Sequence, residues 1–153
     1  MNVKRLVLSC IAVFIFIFGF SWIFHGMLLK PIYVSTASLW RTDVEMEHYF
    51  GWLMLGQFVM AIGFCAIYAR FAPMATGACS VCSATAYGFL TGILFGGNTL
   101  IVYAVQPLPA KLIFIWFIGD IFQMVIAGAI LGAIYKPAAG IAEARQPAPA
   151  RTS

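Results

Sequence analysis

The chain has 153 residues, of which 63% are hydrophobic and only 9% are charged. This composition excludes an ordinary soluble domain, in which about a quarter of the residues carry a charge. The net charge of +4 comes from basic residues beside apolar runs, a distribution typical of membrane topology and not of nucleic-acid binding. The sequence therefore predicts an integral membrane protein whose first partner is the lipid bilayer.

Four apolar runs are each long enough to cross a bilayer, whose hydrocarbon core of about 30 Å needs roughly 20 helical residues. They cover residues 6–29, 50–71, 82–105 and 112–135, and charged residues or prolines bound each of them. We predict an all-α fold, an integral membrane four-helix bundle formed by residues 1–136. Residues 137–153 are rich in Ala and Pro, and we expect them to form a disordered cytoplasmic tail.

The basic residues predict the orientation of the bundle. Six lie on the side of the two termini, and three lie on the opposite side: Lys4, Arg5, Arg70, Lys136, Arg145 and Arg151 against Lys30, Arg41 and Lys111. Because cytoplasmic segments carry the excess of Lys and Arg, both termini are expected in the cytoplasm. The expected location is the bacterial inner (plasma) membrane, crossed several times.

Small residues recur at every fourth position of the third run. They are Ser80, Ala84, Gly88, Gly92 and Gly96, and the fourth run adds Gly128 and Gly132. In lipid, small residues allow the backbones of two helices to approach closely. Two interpretations remain open, a contact between the third and fourth runs of one chain and an exposed stripe for another subunit.

Asp120 is the one fully charged side chain that the pattern places well inside an apolar run. A carboxylate there needs a partner or a proton. The candidate partners at similar depth are His25, Gln57, Asn98 and Gln123. The five residues would form one intramembrane polar cluster, which could act either as a proton or ion relay or as a hydrogen-bonded clasp between helices.

Two sets of residues are candidate metal ligands. Glu45 and His48 have the i, i+3 spacing of some carboxylate metal sites, with His25 as a third ligand, although Thr42 and Glu45 also have the spacing of a capping box. The cysteines Cys10, Cys65, Cys79 and Cys82 all fall toward the cytoplasmic side and could hold a soft metal, but cysteine is also a common small residue in packed helices. We expect no cofactor, with a metal as the alternative.

The segments FHGMLLKPIY and ASLWR, followed later by YGFLTGILFGGNTLIVYAVQPLP and WFIGDIFQMVIAGAILGAIYKP, carry a resemblance to a known family. With them the chain resembles a family of small bacterial four-helix membrane proteins of unknown function. The resemblance implies a four-helix topology and no particular activity.

No nucleophile elbow, phosphate-binding loop or zinc-protease motif occurs in the sequence. We therefore predict a non-catalytic membrane protein, an accessory, assembly or stabilising subunit of a larger membrane complex. One alternative is a small homo-oligomeric transporter or channel with Asp120 and His25 in its pathway. A second alternative is a metal-binding or redox membrane protein.

Overall fold

The computed structural model describes residues 2–71 and 80–135, a part of the chain that is almost entirely helical and contains no β-strand. The elements are α1 (Val3–Ile23), a π-helical turn (Phe24–Leu28), α2 (Lys30–Ser35), a 3-10 turn (Ala37–Leu39), α3 (Asp43–Phe71), α4 (Ser80–Val105) and α5 (Ala110–Ile134). By length and composition, α1 with its π turn, α3, α4 and α5 can each cross a membrane. The predicted all-α class is confirmed for the described residues, and their four membrane-length helices suggest a multi-pass membrane protein.

The helices extend beyond the apolar runs that identified them. The second run begins at residue 50, whereas α3 begins at Asp43. A capping box explains the difference: the Thr42 amide donates to Glu45 Oε2 at 2.9 Å, and the Glu45 amide donates to Thr42 Oγ1 at 3.4 Å. These bonds satisfy amides that would otherwise be free at the helix start. The expected tail over 137–153 and the candidate ligand Cys79 lie outside the described residues.

Successive long helices run in opposite directions, so the bundle has two distinct ends. We term the end near Val3 and Ile134 the proximal end. The end that carries the π turn and α2 is the distal end. The expected cytoplasmic side corresponds to the proximal end.

The contact between α4 and α5 is the most extensive in the bundle, and glycines make it close. A Cβ atom on Gly92 would lie 2.6 Å from the Cα of Ile121, and one on Gly132 would lie 2.6 Å from the Ser80 carbonyl oxygen. Similar additions would collide with the Met124 carbonyl at Gly88 and with the Ala84 carbonyl at Gly128. The small residues of the sequence therefore lie between α4 and α5, where the two backbones touch.

Helix α1 packs between α5 and α3. At its distal end the ring of Phe24 fills the space beside Gly119 of α5, where any Cβ would collide with it. Val13 and Ile17 of α1 are fully buried, together with Ala61 and Cys65 of α3. This apolar core occupies the middle and the proximal half of the bundle.

Hydrogen bonds from side chains to backbone carbonyls join three helices at the proximal end. Ser80 Oγ lies 3.1 Å from the Gly132 carbonyl oxygen and 3.2 Å from that of Tyr135. The Tyr68 hydroxyl donates to the Ser80 carbonyl at 3.0 Å, and the Tyr87 hydroxyl donates to that of Phe64 at 2.9 Å. The bonds of Ser80 satisfy carbonyls at the C-terminal end of α5, where intrahelical partners are missing, and the two tyrosine hydroxyls join α3 to α4.

Helix α3 is covered by the rest of the chain only in its proximal half. Its buried residues are Ala61, Phe64, Cys65, Tyr68 and Ala69. In contrast, every residue from 41 to 53 is exposed. The distal three turns of α3 thus bury none of their described residues, although Phe50 meets Phe18 of α1 edge-to-face with ring centroids 6.3 Å apart.

The close contact between α4 and α5 at their glycines predicts that two Gly→Ala substitutions in α4 change the free energy of unfolding differently. Gly88→Ala should lower the free energy of unfolding by about 1–3 kcal/mol, because its methyl group would overlap the Met124 carbonyl. Gly97→Ala is the matched control, since a Cβ there meets no atom within 4 Å; it should be neutral or add up to about 1 kcal/mol from helix propensity. Unfolding in mixed detergent micelles measures both, and equal stabilities would contradict the close contact.

Candidate functional site

Asp120 is joined to α4 by one hydrogen bond. Thr99 Oγ1 donates to Asp120 Oδ2 at 2.9 Å, and Thr99 is buried while Asp120 is half-buried. The same hydroxyl lies 3.3 Å from the Phe95 carbonyl oxygen, so its single proton favours the shorter bond to the carboxylate. The pair lies one helical turn distal to Gln123 and links the two helices that glycines already hold together.

Gln123 links α5 to α1. Its Nε2 atom donates to the Ile17 carbonyl at 3.2 Å and to Ser21 Oγ at 3.2 Å. Gln123 is buried. The amide therefore uses both of its donor positions, and it holds α1 in a fixed register on α5.

His25 lies in the π turn and is bonded to α2. Its Nδ1 atom is 2.6 Å from the Tyr33 hydroxyl, which also accepts a hydrogen bond from Trp116 Nε1 at 3.0 Å. The π turn is closed by the bond from the Leu29 amide to the Phe24 carbonyl at 3.0 Å, a pattern that widens the helix by one residue. The π turn and α2 redirect the chain, so that Tyr33 contacts both His25 and α5.

Trp40 completes an aromatic group at the distal end. Its ring centroid lies 5.2 Å from that of Tyr33 and 6.0 Å from that of Trp116, and its Nε1 donates to Thr36 Oγ1 at 2.8 Å. We term His25, Tyr33, Trp40 and Trp116 the distal cluster. It joins the π turn, α2 and the segment before α3 to the first turns of α5.

One donor in the distal cluster is fixed by its chemistry. An indole N–H only donates, so the Tyr33 oxygen accepts from Trp116. Burial raises the pKa of Tyr33 to about 12, so its hydroxyl keeps its proton at neutral pH. Which group donates in the bond between this hydroxyl and His25 Nδ1 depends on the tautomer of the histidine ring.

The distal cluster is packed too tightly to hold a ligand between its rings. Tyr33 and Trp116 have centroids 6.4 Å apart, and the neighbouring pairs are closer. An aromatic cage for a cation needs the ion within about 6 Å of several ring faces, which these rings already cover with one another. The geometry therefore supports an anchor for the α1–α3 connection.

The five residues of the expected polar cluster have separate hydrogen-bond environments. Asp120 bonds to Thr99, Gln123 to α1, and His25 to Tyr33. Asn98 is exposed on α4, and Gln57 Oε1 is buried without a hydrogen-bond partner. Within residues 2–71 and 80–135, no hydrogen bond joins any two of the five.

Sequence reasoning missed the partners of these polar groups. Thr99 lies four residues after Phe95 on the same side of α4, and nothing else in the sequence marked it as a partner of Asp120. Tyr33, Trp40 and Trp116 were visible as aromatic residues at one membrane interface. Their mutual contact depends on the π turn, which hydropathy does not reveal.

The candidate metal ligands are not assembled into a site within the described part of the chain. Glu45 Oε2 is bonded to Thr42, and the His48 ring lies against Tyr49 with centroids 5.2 Å apart. Among the described residues, no group of three or more His, Cys, Asp or Glu side chains is arranged to hold a metal ion. His25, Glu45 and His48 do not form such a group, and of the four cysteines only Cys10, Cys65 and Cys82 lie in the described part.

Comparisons with protein families, curated proteins and solved structures gave no match to this chain. The resemblance carried by the segments around residues 24–41 and 87–137 therefore stays an expectation.

The contacts of the distal cluster predict that removal of the Tyr33 hydroxyl lowers the stability of the protein. Tyr33→Phe keeps the ring but leaves Trp116 Nε1 without its acceptor, and it should lower the free energy of unfolding by about 1–3 kcal/mol. Tyr103→Phe is the control, because the exposed Tyr103 hydroxyl has no hydrogen bond within the described residues. Equal unfolding curves for the two variants would show that the hydroxyl does not hold the cluster.

Proposed function

We propose that this protein is a non-catalytic subunit that assembles with, or stabilises, a larger membrane complex. The distal half of α3 would be its contact surface. The observation that carries this proposal is the exposure of every residue from 41 to 53. The other long helices each bury residues along both halves of their length.

The length of α3 supports a contact outside the hydrocarbon core. Its 29 residues correspond to about 43 Å of helix, compared with about 30 Å of hydrocarbon. The first turns therefore project into the headgroup region or beyond it. There Asp43, Glu45 and Glu47 are exposed, and a partner with basic residues at the same membrane surface would complement them.

Apolar residues continue this surface into the membrane. Val44 is 78% exposed and Trp52 is 70% exposed. Arg41 lies over the Tyr49 ring, 3.8 Å from its centroid, so the guanidinium covers one aromatic face, while Asp43 and Glu47 are exposed. The partner that fits is a transmembrane helix that carries Lys or Arg at its end.

The interior of the chain supports a structural role. Thr99 with Asp120 and Gln123 with Ser21 each join two helices, as expected of a clasp that fixes helix register. The small residues between α4 and α5 are covered within the chain. The partner surface proposed for this protein therefore lies on α3.

The topology proposed with this function has both termini in the cytoplasm of a bacterium and the distal end facing outward. The positive-inside distribution of the sequence supports it, since six basic residues are expected on the side of the termini and three on the opposite side. The acidic start of α3 would then lie at the outer face of the plasma membrane.

A photo-crosslinking experiment tests the proposed surface. A benzoyl-phenylalanine at Val44 should cross-link in native membranes to one distinct larger protein, seen as a discrete band and identified by mass spectrometry. Leu94 of α4 is the matched control, because it is 71% exposed but lies outside the proposed surface. It should label lipid and give no protein band.

A charge reversal makes the test stricter. Glu47→Lys should abolish the Val44 cross-link while leaving the free energy of unfolding within about 0.5 kcal/mol, because the residue is on the surface. Cross-links from Val44 only to copies of the same chain, or to no protein, would contradict the accessory role.

A second candidate is proton or ion transport through Asp120, favoured by the position of a carboxylate inside a candidate span with Thr99 as its hydrogen-bond donor. On this proposal Asp120→Asn should abolish pH-driven dye flux in reconstituted vesicles while the fold stays intact. Thr99→Val separates the roles, because it removes the clasp but keeps the carboxylate. Wild-type flux no greater than that of empty vesicles would reject transport.

A further inference from the structure

Gln57 of α3 carries a side-chain amide that has no partner in the described part of the chain. Its Oε1 atom is buried without a hydrogen-bond partner. Its Nε2 atom is not enclosed in this way, and the side chain makes no hydrogen bond to another described residue. In contrast, the side chains of Thr99, Asp120 and Gln123 are all bonded between helices.

The amide of Gln57 lies at the middle of a candidate membrane span. Fourteen residues separate Gln57 from Asp43, and fourteen separate it from Phe71, so each end of α3 is about 21 Å away. The hydrocarbon core is about 30 Å thick, which places Gln57 deep inside it. Water and lipid chains do not satisfy polar groups at that depth, where an unpaired amide is costly. A hydrogen-bond partner for this amide therefore has to come from protein.

Gln57 also lies at the boundary between the two halves of α3. Every residue from 41 to 53 is exposed, whereas Ala61 is fully buried. The turn that carries Gln57 is held in place, because Phe58 meets Phe14 of α1 edge-to-face with ring centroids 5.5 Å apart. The Gln57 side chain itself is half-buried, so it borders the exposed surface that the accessory role assigns to a partner.

We propose that Gln57 binds the transmembrane helix of the partner inside the membrane, and that this helix carries an Asn or Gln at the same depth. This inference rests on the proposed accessory role and specifies its partner. A side-chain amide both donates and accepts. The partner's amide oxygen would accept from Gln57 Nε2, and its nitrogen would donate to Gln57 Oε1 once that side chain rotates outward onto the contact. Hydrogen bonds of this kind join helices in lipid, where the hydrophobic drive between helices is absent.

The acidic residues at the start of α3 define a second contact with the same helix. Glu47 is exposed and lies ten residues before Gln57, about 15 Å along the helix. A partner helix that runs alongside α3 should therefore place a Lys or Arg and an Asn or Gln about ten residues apart. The charged contact lies at the membrane surface and the amide contact lies inside the membrane. Together they fix the depth and the register of the partner helix.

The cross-link from benzoyl-phenylalanine at Val44 measures this contact in native membranes. Gln57→Leu should lower the cross-linked fraction about 3- to 10-fold, the loss expected for one hydrogen bond between helices in lipid. Asn98→Leu is the matched control, because Asn98 is an exposed amide on α4, outside the proposed surface; it should leave the fraction unchanged. In mixed detergent micelles without the partner, the Gln57→Leu chain should be at least as stable as the wild type, because no bond within the chain is lost.

The cross-linked protein itself allows a stricter test. Mass spectrometry of the cross-link identifies the partner helix, which should contain an Asn or Gln about ten residues from a terminal Lys or Arg. Replacement of that Asn or Gln by Leu should lower the cross-linked fraction as much as Gln57→Leu does. It should cause no further loss in the Gln57→Leu chain, because both substitutions remove the same hydrogen bond.

Two results would overturn the role of Gln57 while the accessory role stands. One is a Val44 cross-link to a larger protein that Gln57→Leu leaves unchanged, and the other is a partner helix without Asn or Gln at this depth. A Gln57→Leu chain that is less stable on its own would also overturn it, because the amide would then be bonded within the chain. A wild-type protein that cross-links from Val44 only to its own copies, or to no protein, would reject the accessory role and this inference together.

Discussion

The direct contact between the backbones of α4 and α5 is the constraint on which the rest of the structure depends. Four glycines, Gly88, Gly92, Gly128 and Gly132, leave no room for a Cβ between the helices. Close approach replaces the hydrophobic drive that is missing between helices in lipid. It also brings Thr99 within hydrogen-bonding distance of Asp120, so a polar pair inside the membrane is a consequence of glycine packing.

The other two long helices, α1 and α3, are attached to α4 and α5 to different extents. α1 is fixed to α5 along its length, by Gln123 in the middle and by the distal cluster at one end. α3 is fixed mainly by its proximal half, through Phe64 and Tyr68. The molecule therefore combines three long helices that bury residues in both halves of their length with one, α3, whose distal turns are exposed. This difference in packing between α3 and the other long helices connects the fold to the proposed accessory role.

The fold was largely predictable from the sequence, whereas the polar partners were only partly so. Apolar length revealed the four helices, and the spacing of Thr42 and Glu45 revealed the cap of α3. The partner of His25 was not predictable, because its expected depth in the membrane grouped it with Asp120, whereas in the structure it is bonded to Tyr33. Asp120 itself was recognised, but Thr99 resembles any other threonine of an apolar helix until α4 and α5 are in contact.

Hydrogen exchange of the backbone tests the central claim most directly. The protein would be compared in nanodiscs, alone, and in native membrane vesicles, with peptides resolved by mass spectrometry. The account predicts that the amides of residues 43–53 exchange more slowly in native membranes, where a partner covers them, while those of α4 and α5 stay equally protected in both. Equal exchange of residues 43–53 in the two preparations would contradict it.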